Sequence, residues 1–157
     1  LTDSNSLQDC LDAAYRYLSY RPRSEGEIRQ RLRGRRFPKE VIEAAIARLK
    51  EQNLTDDFAF AQFWKDSRLS FRPKSKRLIK KELRDKNVKV DIIEQVTADI
   101  DDEETAYKLG SRRLANLSRL DYPNFHRRLS SYLAYRGFNY EVIRSTVARL
   151  WREKETG

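Results

Sequence analysis

The sequence predicts an all-α fold built as a tandem array of three three-helix repeats, about nine helices in an elongated or curved arrangement. Three observations predict it. Apolar positions coincide when the chain is shifted by 51 and then by 50 residues: Ile28 falls on Ile79 and Leu129, Leu32 on Leu83 and Leu133, and Phe37 on Val88 and Phe138. Val41, Ile92 and Val142, then Ile42, Ile93 and Ile143, then Leu49, Ile100 and Leu150 continue the register, as do Pro22, Pro73 and Pro123. A period near this length marks an array of small supersecondary units. Second, aliphatic residues recur three and four apart rather than in alternation. Third, 5 glycines and 4 prolines in 157 residues leave little turn chemistry for an all-β fold. A copy this short buries too little surface to stand alone, so neighbouring copies share their cores or lean on a partner.

The elements follow in order. The first copy opens with a helix over Leu7–Ser19. A second helix starts at Ser24, where Ser24 and Glu27 have the spacing of a capping box. A third follows Phe37, with Pro38 suited to a first turn, and its apolar face is Val41, Ile42, Ala45, Ile46 and Leu49. The second copy repeats the pattern from Asp56, Ser75 and Val90, and the third from Asp101, Tyr122 and Asn139, with Asp101 and Glu104 as another capping pair. The third copy departs most, through its first helix and the loop from Leu114 to Tyr122. The repeat boundaries expected are 1–54, 55–100 and 101–157.

Charge is the second signal. The chain carries a net +9, with a pI near 9.8, which points to an anionic partner. Each copy holds 11 basic and 8 acidic residues, so the excess belongs to the repeat and not to a tail. Within copies it is segregated: nine bases stand between Arg72 and Lys89 against Glu82 and Asp85, and seven acids with no base between Asp91 and Glu104. On the helix from Ser75, Lys76, Lys80 and Arg84 are spaced i, i+4 and i+8, with Arg77 and Lys81 beside them and Ile79 and Leu83 on the opposite side. Arg29, Arg33 and Arg36 hold a comparable place in the first copy. The competing reading is a solvated helix face with local pairs such as Arg77 and Glu82.

Catalytic chemistry finds no foothold. His126, the single histidine, neighbours Phe125 and Leu129 and reads as a partly buried structural residue. Cys10 is the single cysteine, so no disulfide within the chain and no thiolate metal site is expected, and it reads as a small core or interface residue. Asp56, Asp57 and the run Asp101–Glu104 sit where helices begin, where carboxylates cap free N–H groups. Gly26 and Gly34 match no phosphate-loop spacing. The expectation is a protein that is not an enzyme and uses no cofactor or metal. Trp64, Phe63 and Phe58 recur at helical spacing and read as core. Gly137 reads as a helix-end conformer. No apolar stretch reaches 18 residues, Leu1–Ser4 lacks the start of a signal peptide, and a free cysteine fits the cytoplasm.

Three blocks carry a resemblance. Tyr17-Leu18, Arg21, Arg23-Ser24-Glu25, Glu27-Ile28 and Leu32 resemble the opening signature of the bacterial RecX family. Leu54-Thr55-Asp56-Asp57-Phe58-Ala59, Ala61, Phe63-Trp64 and Arg68 resemble its central block. Arg128-Leu129, Tyr132-Leu133, Arg136-Gly137-Phe138 and Val142-Ile143 resemble its closing block. Lys74 departs from the family, which usually has a glycine near that position. The resemblance implies a regulator of the RecA recombinase: an array of three-helix repeats lying in the groove of the RecA–DNA filament and suppressing ATP hydrolysis, strand exchange and co-protease activity. It implies RecA as partner, with single- or double-stranded DNA touched directly as a further expectation; a monomer is expected because the copies can satisfy each other. On this reading Arg68, Arg72, Lys76, Lys80 and Arg84 contact the filament, with Arg29, Arg33, Arg127 and Arg128 as outer contacts. The rival reading is a stand-alone DNA-binding helical module that meets phosphates through basic helix faces. Against it, the third helices are acidic or mixed (Glu40, Glu43; Asp91, Glu94, Asp99), which suits a major groove poorly.

Overall fold

The computed structural model describes residues 2–157, with side chains from residue 6, and among them are nine helices and no strand. The helices are α1 (Thr2–Leu18), α2 (Glu25–Gly34), α3 (Lys39–Glu51), α4 (Asp57–Phe71), α5 (Lys76–Asp85), α6 (Val90–Thr97), α7 (Asp102–Leu117), α8 (Tyr122–Tyr135) and α9 (Tyr140–Thr156). The three-copy all-α array expected from the register is what forms. The reading of Leu1–Ser4 lies outside the described side chains.

By internal contacts the chain divides into two units, residues 1–65 with 82–96, and residues 66–81 with 97–157, so α4 and α5 each contribute to both. In the first unit, α1, α2 and α3 close over Cys10, Leu11, Ala14, Ile28, Leu32, Ile42, Ala45, Ile46 and Leu49. In the second, α7, α8 and α9 close over Ala106, Leu109, Phe125, Leu129, Leu133, Val147 and Leu150. The register residues Ile79, Leu83, Val88 and Ile93 are buried as well. Ile100, the register partner of Leu49 and Leu150, is only half-buried, because α6 ends at Thr97.

Local chemistry sets the helix ends. Ser24 caps α2 in a complete box: its Oγ accepts from the Glu27 N–H at 3.0 Å, and its own N–H donates to Glu27 Oε1 at 3.1 Å. Asp56 accepts from the Ala59 N–H at the head of α4, and Asp101 from the N–H groups of Glu103 and Glu104 at the head of α7. Pro38 sits at the N-cap of α3, one place earlier than a first-turn residue. α8 starts at Tyr122 behind Asp121, with Pro123 inside its first turn, whereas Pro22 and Pro73 precede their helices. That extra turn is how the third copy departs from the other two.

The turn between second and third helices is the same in all three copies. Arg36 (φ 67), Asn87 (φ 61) and Gly137 (φ 92) occupy the register position in left-handed backbone. After each, the next N–H reaches back five residues, Phe37 to the Leu32 carbonyl, Val88 to Leu83 and Phe138 to Leu133. This is the Schellman closure of a helix C-terminus.

Two of these turns receive the head of the preceding copy's second helix. In the first unit, Ser24 Oγ donates to the Lys86 carbonyl at 2.8 Å, and the Glu25 N–H donates to Asp57 Oδ1 at 2.9 Å. Gly26 lies so close that an added Cβ would stand 2.7 Å from both the Lys86 carbonyl and Asn87 Cβ. In the second unit, the Ser75 N–H donates to the Arg136 carbonyl and the Lys76 N–H to Asp102 Oδ1, both at 2.9 Å, while Gly137 packs on Leu78 and Ser75. Copies are therefore joined at fixed register positions by hydrogen bonds that each engage a backbone group on one side.

Candidate functional site

α5 carries the candidate stripe. Ile79 and Leu83 are fully buried, and Lys76, Lys80 and Arg84 run along the flank of that buried side rather than opposite it, because residues one apart lie only about a quarter-turn round a helix; Arg77 and Lys81 stand opposite and are exposed. Arg84 is exposed, and Lys76 and Lys80 are half-buried at their stems. Glu82, on the same helix, accepts a 2.9 Å hydrogen bond from the Trp64 indole. Arg77 reaches the Gly137 carbonyl at 3.4 Å. Just upstream, Arg68 lies in the last turn of α4, and Arg72 is exposed in the loop that follows.

The outer candidates differ in how their charge is spent. Arg29 is held by two carboxylates: Nε meets Glu43 Oε2 at 2.8 Å, and Nη2 meets Glu43 Oε1 and Glu25 Oε1 at 3.0 Å each. The Glu43 hydrogen bond raises the Arg29 pKa above its usual value and lowers that of Glu43. Glu25 is lowered too, since hydrogen bonds from Arg29 and Lys50 outweigh the upward push of burial. Arg29 is thus a neutralised residue in the fold. Arg33 is exposed and shares with Arg29, Lys39, Ile42 and Glu43 a cleft of about 580 Å³. On α8, Arg127 and Arg128 are exposed, Arg127 opposite the buried Phe125 and Leu129 and Arg128 on their flank, and Arg127 Nη2 donates to Asn124 Oδ1 at 2.9 Å.

Several residues read as core stand elsewhere. Phe58 and Phe63 are 43% and 37% exposed, and Phe60 takes the buried place on α4. The apolar run here is broader than the face α4 has to bury. Trp64 is half-buried, stacked on Phe60 at 5.8 Å, with Lys86 Nζ 4.3 Å and the Arg21 guanidinium 5.2 Å from its ring. His126 is exposed, its ring 5.7 Å from Tyr122, because it lies about a quarter-turn round α8 from the buried Phe125 and Leu129. Cys10 is fully buried, and burial pushes its thiol up to about 11. Among the described residues no cluster of His, Cys, Asp and Glu could hold a metal ion, and no helix is long and apolar enough to cross a membrane.

Two constellations escape the sequence. Glu27, nearly buried, ties Arg21 (2.6 Å) and Lys86 (3.2 Å), and its pKa is lowered because those cations and the Ser24 N–H outweigh the upward effect of burial. Arg16, Arg23, Arg31 and Arg35 line one cleft in the first unit. The one sequence signal near the latter is the tetrapeptide Tyr20-Arg21-Pro22-Arg23, echoed as Phe71-Arg72-Pro73-Lys74.

Comparison with known proteins matches this geometry. Residues 10–49, 56–96 and 101–147 match the models of the first, second and third three-helix domains of RecX. A regulatory protein RecX from Streptomyces coelicolor is 35% identical over 143 residues, covering 89% of this chain and 76% of that protein. One from Chlorobaculum tepidum is 32% identical over 145 residues, covering 92% and 90%. The crystal structure of RecX from Lactobacillus salivarius superposes with a TM-score of 0.77 at 23% identity, covering 94% of this chain and 97% of that one. A three-copy register, three matched domains in chain order, and relatives aligned over nearly the whole length agree: the chain belongs to the RecX family.

Proposed function

We propose that this chain regulates the RecA recombinase by binding the RecA–DNA filament and inhibiting its ATPase, strand-exchange and co-protease activities. The observation that carries the proposal is the cationic stripe of α5, set on the array of a RecX-family member. Its three cations at i, i+4 and i+8 line up along the flank of a buried apolar side and suit an acidic protein surface or filament phosphates. Repeats that each offer a weak contact gain affinity for a polymer over a single subunit, because each further contact is intramolecular. Lys76, Lys80 and Arg84, with Arg68 and Arg72, form the main contact in this reading. Arg33, Arg127 and Arg128 are outer contacts, and Arg29 contributes least because Glu43 and Glu25 already hold it. The chain acts as a monomer of three repeats, 1–54, 55–100 and 101–157, in the cytoplasm with its target, and does no chemistry of its own.

The competing reading is a stand-alone module that meets DNA phosphates through basic helix faces; the exposed acids of the third helices, Glu40, Glu43, Asp91 and Glu94, disfavour those helices as its major-groove readers. The deciding experiment titrates the single-strand-dependent ATPase of RecA with this protein at fixed salt, with naked-DNA binding measured alongside. Inhibition at or below one chain per RecA, at concentrations where naked DNA is bound only weakly, is expected. No inhibition, together with tight salt-sensitive DNA binding, hands the function to the stand-alone module.

A further inference from the structure

Apart from the α5 stripe, the first unit holds a cationic cleft that the fold does not require. About 210 Å³ in volume, it opens where the last turn of α1, the loop after it and the end of α2 meet. Arg16, Arg23, Arg31 and Arg35 line it with Tyr17 and Tyr20, and no carboxylate does. The Arg23 guanidinium lies 3.8 Å from the Tyr17 ring centroid and that of Arg31 5.2 Å, while Arg23 Nε donates to the Tyr17 carbonyl at 3.3 Å. None of the four forms an ion pair among the described residues. The carboxylates of α2, Glu25 and Glu27, are spent on Arg29, Lys50, Arg21 and Lys86.

A cation at a helix C-terminus complements the dipole, and Arg16 and Arg31 each lie in a last turn. That accounts for one cation per helix end, not for four lining one cleft with two against one ring. Nor does the repeat demand all four, since of these positions only that of Arg35 is basic in every copy. The register positions hold Ser67, Lys74, Glu82 and Lys86 in the second copy and Leu117, Asn124, Tyr132 and Arg136 in the third. Beside the cleft, Tyr20 is 77% exposed.

We infer that this cleft holds the phosphates of a single-stranded nucleic acid while Tyr20 stacks on a neighbouring base. Guanidiniums that no carboxylate neutralises take phosphate oxygens. An exposed aromatic ring beside a cationic groove is the platform on which unpaired bases stack; duplex bases have no free face to offer it. Acidic peptide would engage the arginines but leave the ring unused. The inference rests on the reading above only in taking the filament strand as the natural ligand, and its test needs neither RecA nor the α5 stripe.

The test is fluorescence anisotropy of a labelled oligothymidylate titrated with the full chain over a series of low potassium chloride concentrations. Each phosphate neutralised on a single strand contributes about −0.7 to the slope of log affinity against log salt. Replacing both Arg16→Gln and Arg35→Gln, two exposed side chains, should weaken binding and make the slope shallower by about 1.4. Tyr20→Ala should weaken binding at least about fivefold with the slope unchanged, and Tyr20→Phe should restore it. Both effects should persist in the Lys76→Glu, Lys80→Glu, Arg84→Glu variant, so a failed filament reading leaves this one standing. An unaltered slope in the arginine variant, with circular dichroism intact, overturns it. So does polyglutamate displacing the oligonucleotide while Tyr20→Ala binds as the parent does, which would make the cleft a site for acidic polypeptide.

Discussion

Replacing Gly26 by alanine should destabilise this protein, although Gly26 lies inside a helix. In an open helix the exchange favours folding by about 0.5–1 kcal/mol, because glycine loses more backbone freedom on folding. At Gly26 the new methyl group would stand 2.7 Å from the Lys86 carbonyl and 2.7 Å from Asn87 Cβ. Both are fixed by the left-handed turn, so the joint must open. Overpacking of this kind costs about 1–3 kcal/mol, and the Ser24 Oγ bond to Lys86, worth about 1 kcal/mol, is strained with it. Set against the propensity gain, the net loss is about 2 kcal/mol, or roughly 4–8 °C in Tm for a chain of this length. Gly34→Ala is the control: it sits at the other end of α2 with no atom within 4 Å of its added Cβ. It should gain about 0.5–1 kcal/mol. Urea titration followed by Trp64 fluorescence in a Trp151→Phe background reads the first unit, since the two tryptophans lie in different units and Trp64 is 4.3 Å from Lys86 Nζ. If Gly26→Ala raised the midpoint as Gly34→Ala does, the joint would not exist as described.

Gly137→Ala should lose about 2–4 kcal/mol, because φ is 92° and Leu78 and Ser75 fill the space of a side chain; Asn87→Gly, at the same register position, should stay within about 1 kcal/mol, both by urea midpoint. Glu27 has a folded pKa below its ordinary 4.5, so its contribution is present above that value and is lost as pH falls through the folded value. Glu27→Gln should cost about 2 kcal/mol at neutral pH and flatten the acid limb of the Tm-against-pH curve. Cys10, buried with its thiol raised to about 11, should resist N-ethylmaleimide at neutral pH and become labelled only as the chain unfolds, which mass spectrometry along a urea series would follow. Charge reversal at Lys76, Lys80 and Arg84 together moves the net charge from +9 to +3 and should abolish inhibition of the RecA ATPase in a chain whose circular dichroism is unchanged. Full inhibition by that variant would refute the placement of the contact on α5.

What the sequence made legible was whatever repeats. Helix number, helix heads and core positions are written three times, so Ile28, Ile79 and Leu129 each support the others, and all three are fully buried. What stayed hidden was whatever occurs once or depends on width. Phe58 and Phe63 share helical spacing with Phe60, but a helix buries only a stripe, and spacing alone does not say which aromatic lies on it. Arg29 and Arg31 look alike in sequence, yet one is spent on Glu43 and Glu25 and the other faces a cleft without carboxylates. That difference is set by Glu43, fourteen residues beyond Arg29 on another helix.

The joint between copies explains why one register position changes character along the chain. Ser24 and Ser75 are both fully buried, and both engage the left-handed turn of the following copy, at Lys86 and at Arg136. In the third copy the register residue is Phe125, fully buried, with its ring 5.1 Å from Trp151 in that copy's own core. A serine there would leave a buried hydroxyl in an apolar core, which costs about 1–3 kcal/mol when unpaired. The third copy therefore receives a neighbour through Arg136 and Gly137 without presenting a serine in turn. The first copy does the reverse: it presents Ser24, while its own turn at Arg35 and Arg36 is exposed. That turn has φ 67 at Arg36 and the same Schellman closure as the two that are occupied. Because an isolated, solvent-facing copy of the turn keeps the geometry of its docked counterparts, the turn is fixed by its own helix end and not by the joint. Docking then meets a preformed surface, and conserving backbone shape while varying side chains lets Arg35 serve a charged cleft at the position where Lys86 and Arg136 serve a joint.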